Sequence, residues 1–239
     1  MSSRERRRTR LRSVTENVHQ ICLGPVNAFL LRDGRDLALV DTGPAGSAPA
    51  ILSAVGDLGH APDDLEHILL THAHPDHVGS AAALVRATGA RTWMHALDAP
   101  VAEGREGFRP IEPASAWTMR VLHFVLSRME PSAEPVTIDH EVEDGQVLPF
   151  ARGLSAVHAP GHTAGQLVFL WSDQGVLFAA DTCGNQFGLG PPLGYEDAEQ
   201  WRRSQSRVAG LDFEIACFGH GRPITSGAAI RFREEWTSP

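Results

Sequence analysis

Thr71-His72-Ala73-His74-Pro75-Asp76-His77 decides how this chain is read. Three imidazoles and one carboxylate fall within six residues, in the pattern H-x-H-x-D-H. In extended backbone, His72 and His74 project to the same side. Pro75 then blocks strand continuation and turns the chain into a helix. Asp76 and His77 come to lie at the start of that helix, displaced from the first pair. Such an arrangement can feed two adjacent metal ions. Imidazole suits zinc, iron and other borderline metals, and a carboxylate is a hard partner ligand.

Working outward, the cluster is preceded by His67 to Thr71, a short apolar strand, and followed by the alanine-rich stretch Val78 to Thr88. Gly89 is a natural C-terminal cap for a helix there. Upstream, Ile21 to Leu31 and Leu37 to Val40 bracket Asp33-Gly34 and read as a hairpin. The second run ends in Asp41-Thr42-Gly43. Ser47 to Leu58 reads as a helix with Ser47 as its N-cap. Downstream, Arg91 to Met94, Leu154 to His158, Leu167 to Trp171, Val176 to Ala180 and Ile215 to Phe218 are short strands. Asp197 to Ala209 and Ser226 to Trp236 are helices. Alternating strands and helices give an α/β layered fold, and the hairpins argue against purely parallel sheets.

Three single residues repeat one placement, a metal-capable side chain just past the end of a strand, where α/β folds set their sites. His162 lies in Ala159-Pro160-Gly161-His162-Thr163-Ala164-Gly165. Asp181 follows Val176 to Ala180. His220 sits between glycines after Ile215 to Phe218. Leu39 to Gly43 and Ala179 to Gly184 also echo each other, both being apolar strands that end in Asp-Thr.

Residues 100–135 differ in character. They are proline-rich around a helical segment, Ala114 to Met129, whose Trp117, Val121, Phe124, Val125 and Met129 share a face. This reads as an insertion lying over the core, and Trp117, Met119 and Phe124 are candidates for a pocket wall.

The chain has 239 residues, with 21 basic groups, all arginine, against 29 acids. Six arginines lie in Met1 to Arg12, which reads as a disordered basic tail. The domain would then occupy 13–239, with the 100–135 insertion as a cap. Without the tail, 15 arginines face 28 acids. A body so acidic is a poor attractor for nucleic acid. No apolar run is long enough for a membrane span, and none follows the basic tail as a secretory signal requires. Cys22, Cys183 and Cys217 are too few and too scattered for a disulfide framework. The expectation is a cytoplasmic protein with a small-molecule substrate and no nucleic-acid or membrane partner. His19, His60, His67 and His140 read as surface residues, His95 as structural, and His158 as a neighbour of the site or a surface residue.

The order of Asp41, the His72 to His77 cluster, His162, Asp181 and His220 resembles the metallo-β-lactamase superfamily, in the branch similar to glyoxalase II and related lactonases. The resemblance runs from about Cys22 to His220. It implies a four-layer αββα sandwich with the site at one edge of two sheets. It also implies two divalent ions, zinc by default, with iron or manganese as other choices. His72, His74 and His162 would hold the first ion and Asp76, His77 and His220 the second. Asp181 would bridge them, and Asp41 would orient the histidine loop. The activity implied is hydrolysis of an ester, thioester or lactone by a metal-bound hydroxide, with Asp76 as the catalytic proton carrier. Two alternatives share the fold: a mononuclear iron persulfide dioxygenase and a β-lactamase-like amide hydrolase. Asp181 stands where the β-lactamases of the family carry cysteine or serine. A glyoxalase II is expected to make basic contacts to glutathione, some of them through lysine, and this chain has no lysine.

Overall fold

The computed structural model describes residues 10–34, 36–114 and 133–237. Two of its sheets lie face to face. The larger has seven strands: β1 (Arg10–Ser13), β2 (Val18–Cys22), β3 (Asn27–Asp33), β4 (Asp36–Val40), β5 (Leu65–Leu69), β6 (Arg91–Met94) and β8 (His140–Glu141), in that order. The smaller runs β13 (Ile215–Cys217), β11 (Val176–Phe178), β10 (Leu167–Trp171), β9 (Leu154–His158). A two-stranded pair joins β7 (Glu112–Pro113) to β12 (Gly194–Tyr195).

The strand sequences explain the layering. Along β3 and β4, alternate residues face opposite sides, yet both sets are apolar, as in strands covered on both faces. Ala28, Leu30, Leu37 and Leu39 pack outward with Ile51, Val55 and Leu84 of the helices α1 (Ala48–Asp57) and α3 (Ala81–Thr88). Phe29, Leu31, Ala38 and Val40 face inward, against Ala156, Phe169, Trp171 and Phe178 of the second sheet. On the far side of that sheet, Val157, Val168, Leu177 and Ala216 meet Val208, Ala229 and Phe232. These belong to α5 (Ala198–Ala209) and α6 (Ala228–Trp236). The result is the expected helix, sheet, sheet, helix sandwich. Three apolar clusters fill its three interlayer spaces.

The topology sends the strand ends to one edge. β4, β5 and β6 are mutually parallel. In the second sheet β11 and β13 are parallel, and both β9 and β11 run antiparallel to β10. The carboxyl ends of β9, β11 and β13 therefore emerge together. α2 (Pro75–Val78) follows β5, and a short α4 (Ala99–Ala102) follows β6.

Some expectations need correction. Arg10–Ser13 pairs antiparallel with β2, so Arg10 to Arg12, read as the end of a tail, lie in a strand. Ser47 precedes α1, but its side chain caps nothing; its backbone N–H donates to the Ser80 hydroxyl, 2.8 Å away. The stretch from Val78 to Thr88 is broken at Gly79-Ser80 rather than one helix. His19 is buried, because β2 lies inside the larger sheet rather than at its rim. His67 stacks on Phe150 at 3.7 Å, and His140 stacks on Trp93 at 3.9 Å. The helical segment read between Ala114 and Met129 falls almost wholly outside the described residues, as do the pocket-wall candidates Trp117, Met119 and Phe124. No described helix is long and apolar enough to cross a membrane.

Candidate metal centre

All seven predicted donors meet at the shared edge of the two sheets. β5 and α2 deliver His72, His74, Asp76 and His77. The turns after β9, β11 and β13 deliver His162, Asp181 and His220. Three sets have ligand atoms within 4.8 Å of one another: His72, His74 and His162; His72, His77 and Asp181; and Asp76, His77 and His220.

The outer hydrogen bonds orient the rings, and on a neutral ring each leaves the opposite nitrogen as the lone pair. His162 donates from Nδ1 to the Gly194 carbonyl at 2.8 Å. His220 donates from Nδ1 to the Pro25 carbonyl at 2.9 Å. His77 Nδ1 donates to Asp41 Oδ2 at 2.8 Å. His72 Nδ1 lies 3.0 Å from the Thr71 hydroxyl, which itself lies 2.9 Å from Asp41 Oδ2. A hydroxyl proton given to Asp41 leaves Thr71 to accept from His72. The free nitrogens then converge: His74 Nδ1 is 3.0 Å from Nε2 of both His72 and His162.

Asp41 holds this arrangement from beneath. It also accepts from the Thr71 N–H at 2.9 Å. Its φ of 59° is a conformation that non-glycine residues seldom adopt, so the surrounding bonds over-determine it. The carbonyl of His77 accepts from both the N–H and the hydroxyl of Thr42, each at 2.7 Å.

The electrostatics divide the site in two. Burial and neighbouring imidazoles depress His72, His74 and His162, with His74 pushed down to about 3. These three are neutral donors. Burial opposes charge on His77 and His220 as well, but Asp181, Asp41 and Asp76 overcome it at His77. Asp181 and Asp76 do so at His220, raising it to about 10. Burial likewise works against charge on Asp76 and Asp181, yet His77 and His220 hold both below the usual carboxylate range. His220 Nε2 lies 3.1 Å from Asp181 Oδ2 and 3.3 Å from Asp76 Oδ2. In this half, bound protons supply the positive charge that the carboxylates demand.

Whether the residues fit a metal is tested by the buried atoms that lack a partner. His77 Nε2 and Asp181 Oδ1 are both buried and unbonded, although they lie 3.4 Å apart. Leaving such groups unpaired costs about 1–3 kcal/mol each, more when charged. A cation between them satisfies both. Gly219 keeps that space open, since a Cβ there would fall 2.2 Å from Asp181 Oδ1 and 2.7 Å from His77 Cε1. The donor set and the orphaned atoms therefore fit divalent ions.

Several supporting residues gave no sequence signal. Asn27 is buried and donates to the carbonyls of Phe218 and Gly221, at 3.0 and 2.8 Å, clamping the turn that carries His220. With its amide oxygen facing Asp181 and Thr182, Gln166 accepts from both of their N–H groups. Asp98 ties two of the histidine loops together. An aspartate, asparagine or glutamine outside any motif looks like a turn or surface residue until the fold is known. His158 donates from Nε2 to the Ala164 carbonyl, 2.8 Å away, and stacks on His95 at 4.0 Å. Neither ring reaches the donor cluster.

The layered fold and this donor set define a metal-binding α/β sandwich. The chain belongs to the metallo-beta-lactamase superfamily, whose family model matches residues 23–220. It is 30% identical to a hydroxyacylglutathione hydrolase of Cereibacter sphaeroides, over 83% of this chain and 64% of that protein. It is 26% identical to the probable metallo-hydrolase YflN of Bacillus subtilis, over 88% of this chain and 86% of that protein. Among solved structures, the metallo-beta-lactamase family protein TTHA1429 of Thermus thermophilus superposes with a TM-score of 0.71. It is 25% identical, over 93% of this chain and 79% of that one. The chain spans less than two thirds of several curated relatives that it matches.

Proposed function

We propose that this protein is a dinuclear metal-dependent hydrolase of an ester, thioester or lactone. The coarser class, a metal-dependent hydrolase, rests on the superfamily and its hydrolase relatives. The observation that carries the dinuclear reading is the pair of adjacent donor sets with two orphaned atoms, His77 Nε2 and Asp181 Oδ1, between them. His72, His74 and His162 would hold one ion, and Asp76, His77 and His220 the other. Asp181 stands between the sets, 3.4 Å from His77, 3.8 Å from His162 and 3.1 Å from His220, in position to bridge. When bound, the ions would lower the pKa of water to about 7 and polarise a substrate carbonyl.

The chain's own groups supply the rest. Asp76 has 44% of its side chain accessible, and its low pKa keeps it anionic at neutral pH. It can orient an attacking water and pass that proton to the leaving group. Beside Asp181 and His220 runs an apolar wall of Phe187, Pro191, Pro192 and Leu193. Such a wall suits the hydrocarbon part of an acyl group and sheds water from the reacting carbonyl. Thioester cleavage is also the reaction that the hydroxyacylglutathione hydrolase name implies for that relative.

The test is a panel of thioesters, lactones and simple esters. It would be offered to protein stripped by chelator and to the same protein reconstituted with zinc, iron or manganese. The proposal expects hydrolysis only after reconstitution. Turnover equal in the stripped protein, or absent on every substrate with every metal, would contradict it.

A further inference from the structure

We propose that Asp98 is a positioning residue for the donor set of His72, His74 and His162, joining two loops that come from different sheets. The inference rests on the metal-centre reading above. Asp98 precedes α4 and is 1% exposed. Its carboxylate accepts three hydrogen bonds. One comes from the Ala73 N–H, at 3.0 Å, and Ala73 separates His72 from His74. The other two come from the Thr163 hydroxyl at 2.8 Å and the Gly165 N–H at 2.7 Å, one and three residues beyond His162. One buried carboxylate thus fixes the backbone on both sides of a gap that three imidazole nitrogens must span. Across it, His74 Nδ1 and His162 Nε2 are 3.0 Å apart.

The surroundings commit Asp98 to this place. A Cβ at Gly165 would fall 2.6 Å from its Oδ1, so the loop can approach only because that residue is glycine. Arg109 faces it at 3.9 Å and also reaches Glu196 at 3.6 Å. Glu196 in turn accepts from the Ala164 N–H at 2.8 Å, adding a second hold on the His162 loop. A further bond between the loops, from Leu167 N–H to the Thr71 carbonyl at 2.9 Å, lies at the strand ends rather than at the level of the histidines. Charge-assisted bonds of the Asp98 kind are about twice as strong as neutral ones. Outer partners of metal ligands typically set affinity by about 10–100-fold.

Asp98→Asn keeps the shape but places an amide N–H against donors. The experiment measures zinc affinity by chelator competition in a His220→Ala background, which disables the other donor set. The cobalt(II) absorption spectrum and the unfolding midpoint of the metal-free protein are recorded alongside. The expected result is an affinity loss of about 10–100-fold with an altered cobalt spectrum. Affinity within threefold of the His220→Ala parent, whether or not the midpoint falls, would overturn the proposal and leave Asp98 a stabilising residue only. If Asp98→Asn does not fold, Thr163→Val removes a single donor, and a smaller loss in the same direction is expected; unchanged affinity overturns the proposal. Wild-type protein that takes up no metal would instead sink the metal-centre reading itself.

Discussion

Nδ1 of His77 lies 2.8 Å from Oδ2 of Asp41, while its other nitrogen faces Asp181 Oδ1 at 3.4 Å. The two aspartates come from the Asp-Thr ends of β4 and β11, in different sheets. The short echo between Leu39 to Gly43 and Ala179 to Gly184 thus has a structural counterpart. One imidazole is gripped by both ends, and only the Asp181 side is left with unbonded atoms.

Asp41→Asn should loosen that grip. With one oxygen in place of two, an amide cannot accept from both the Thr71 N–H and His77 Nδ1, which now bond different oxygens, so the His77 ring is no longer held in place. Metal affinity should fall by about 10–100-fold, read by chelator competition. Affinity equal to wild type would remove Asp41 from the account.

Asp76→Ala should abolish hydrolysis while the circular dichroism spectrum stays that of the wild type. The exposed carboxylate contributes little to the core, so folding does not depend on it. Near-normal turnover would refute its role as proton carrier.

Asn27→Ala should weaken the second donor set selectively. It releases two bonds that hold the turn from Phe218 to Gly221, and His220 moves with that turn. The prediction is loss of one metal equivalent before the other on dialysis. Simultaneous loss, or none, would contradict it.

Metal uptake should release protons. In the metal-free protein His77 and His220 are held protonated at neutral pH, the latter up to about 10, whereas His72, His74 and His162 are already neutral. A metal must displace protons from the first two, so apparent affinity should rise with pH through neutrality and on toward about 10, where His220 gives up its proton unaided. Zinc titrations in buffers of different ionisation enthalpy would measure the released protons. Affinity independent of pH would show that the carboxylates do not hold His77 and His220 as cations.

Much of this site was legible because its chemistry is local. The H-x-H-x-D-H spacing places four donors on one turn, and His162, Asp181 and His220 each follow an apolar strand. The α/β layering was readable from alternating strands and helices, and the four-layer sandwich from the family resemblance; β3, β4 and β10 are apolar on both faces because a layer covers each side. Asn27, Asp98 and Gln166 were not legible: the partners of the first two lie 25 to 194 residues away, those of Gln166 in the turn after β11, and polar residues in loops carry no period. His19 was misread for a similar reason. A histidine in an edge-like sequence gives no sign that another strand, here Arg10–Ser13, will pair beyond it.

The most direct measurement is metal content per chain, by elemental analysis of protein purified without chelators. The account predicts two equivalents of divalent metal, zinc or a mixture with iron and manganese, together with hydrolysis of at least one thioester, ester or lactone. A single equivalent of iron, with oxygen consumed in the presence of a persulfide, would contradict the dinuclear hydrolase and point to the mononuclear dioxygenase.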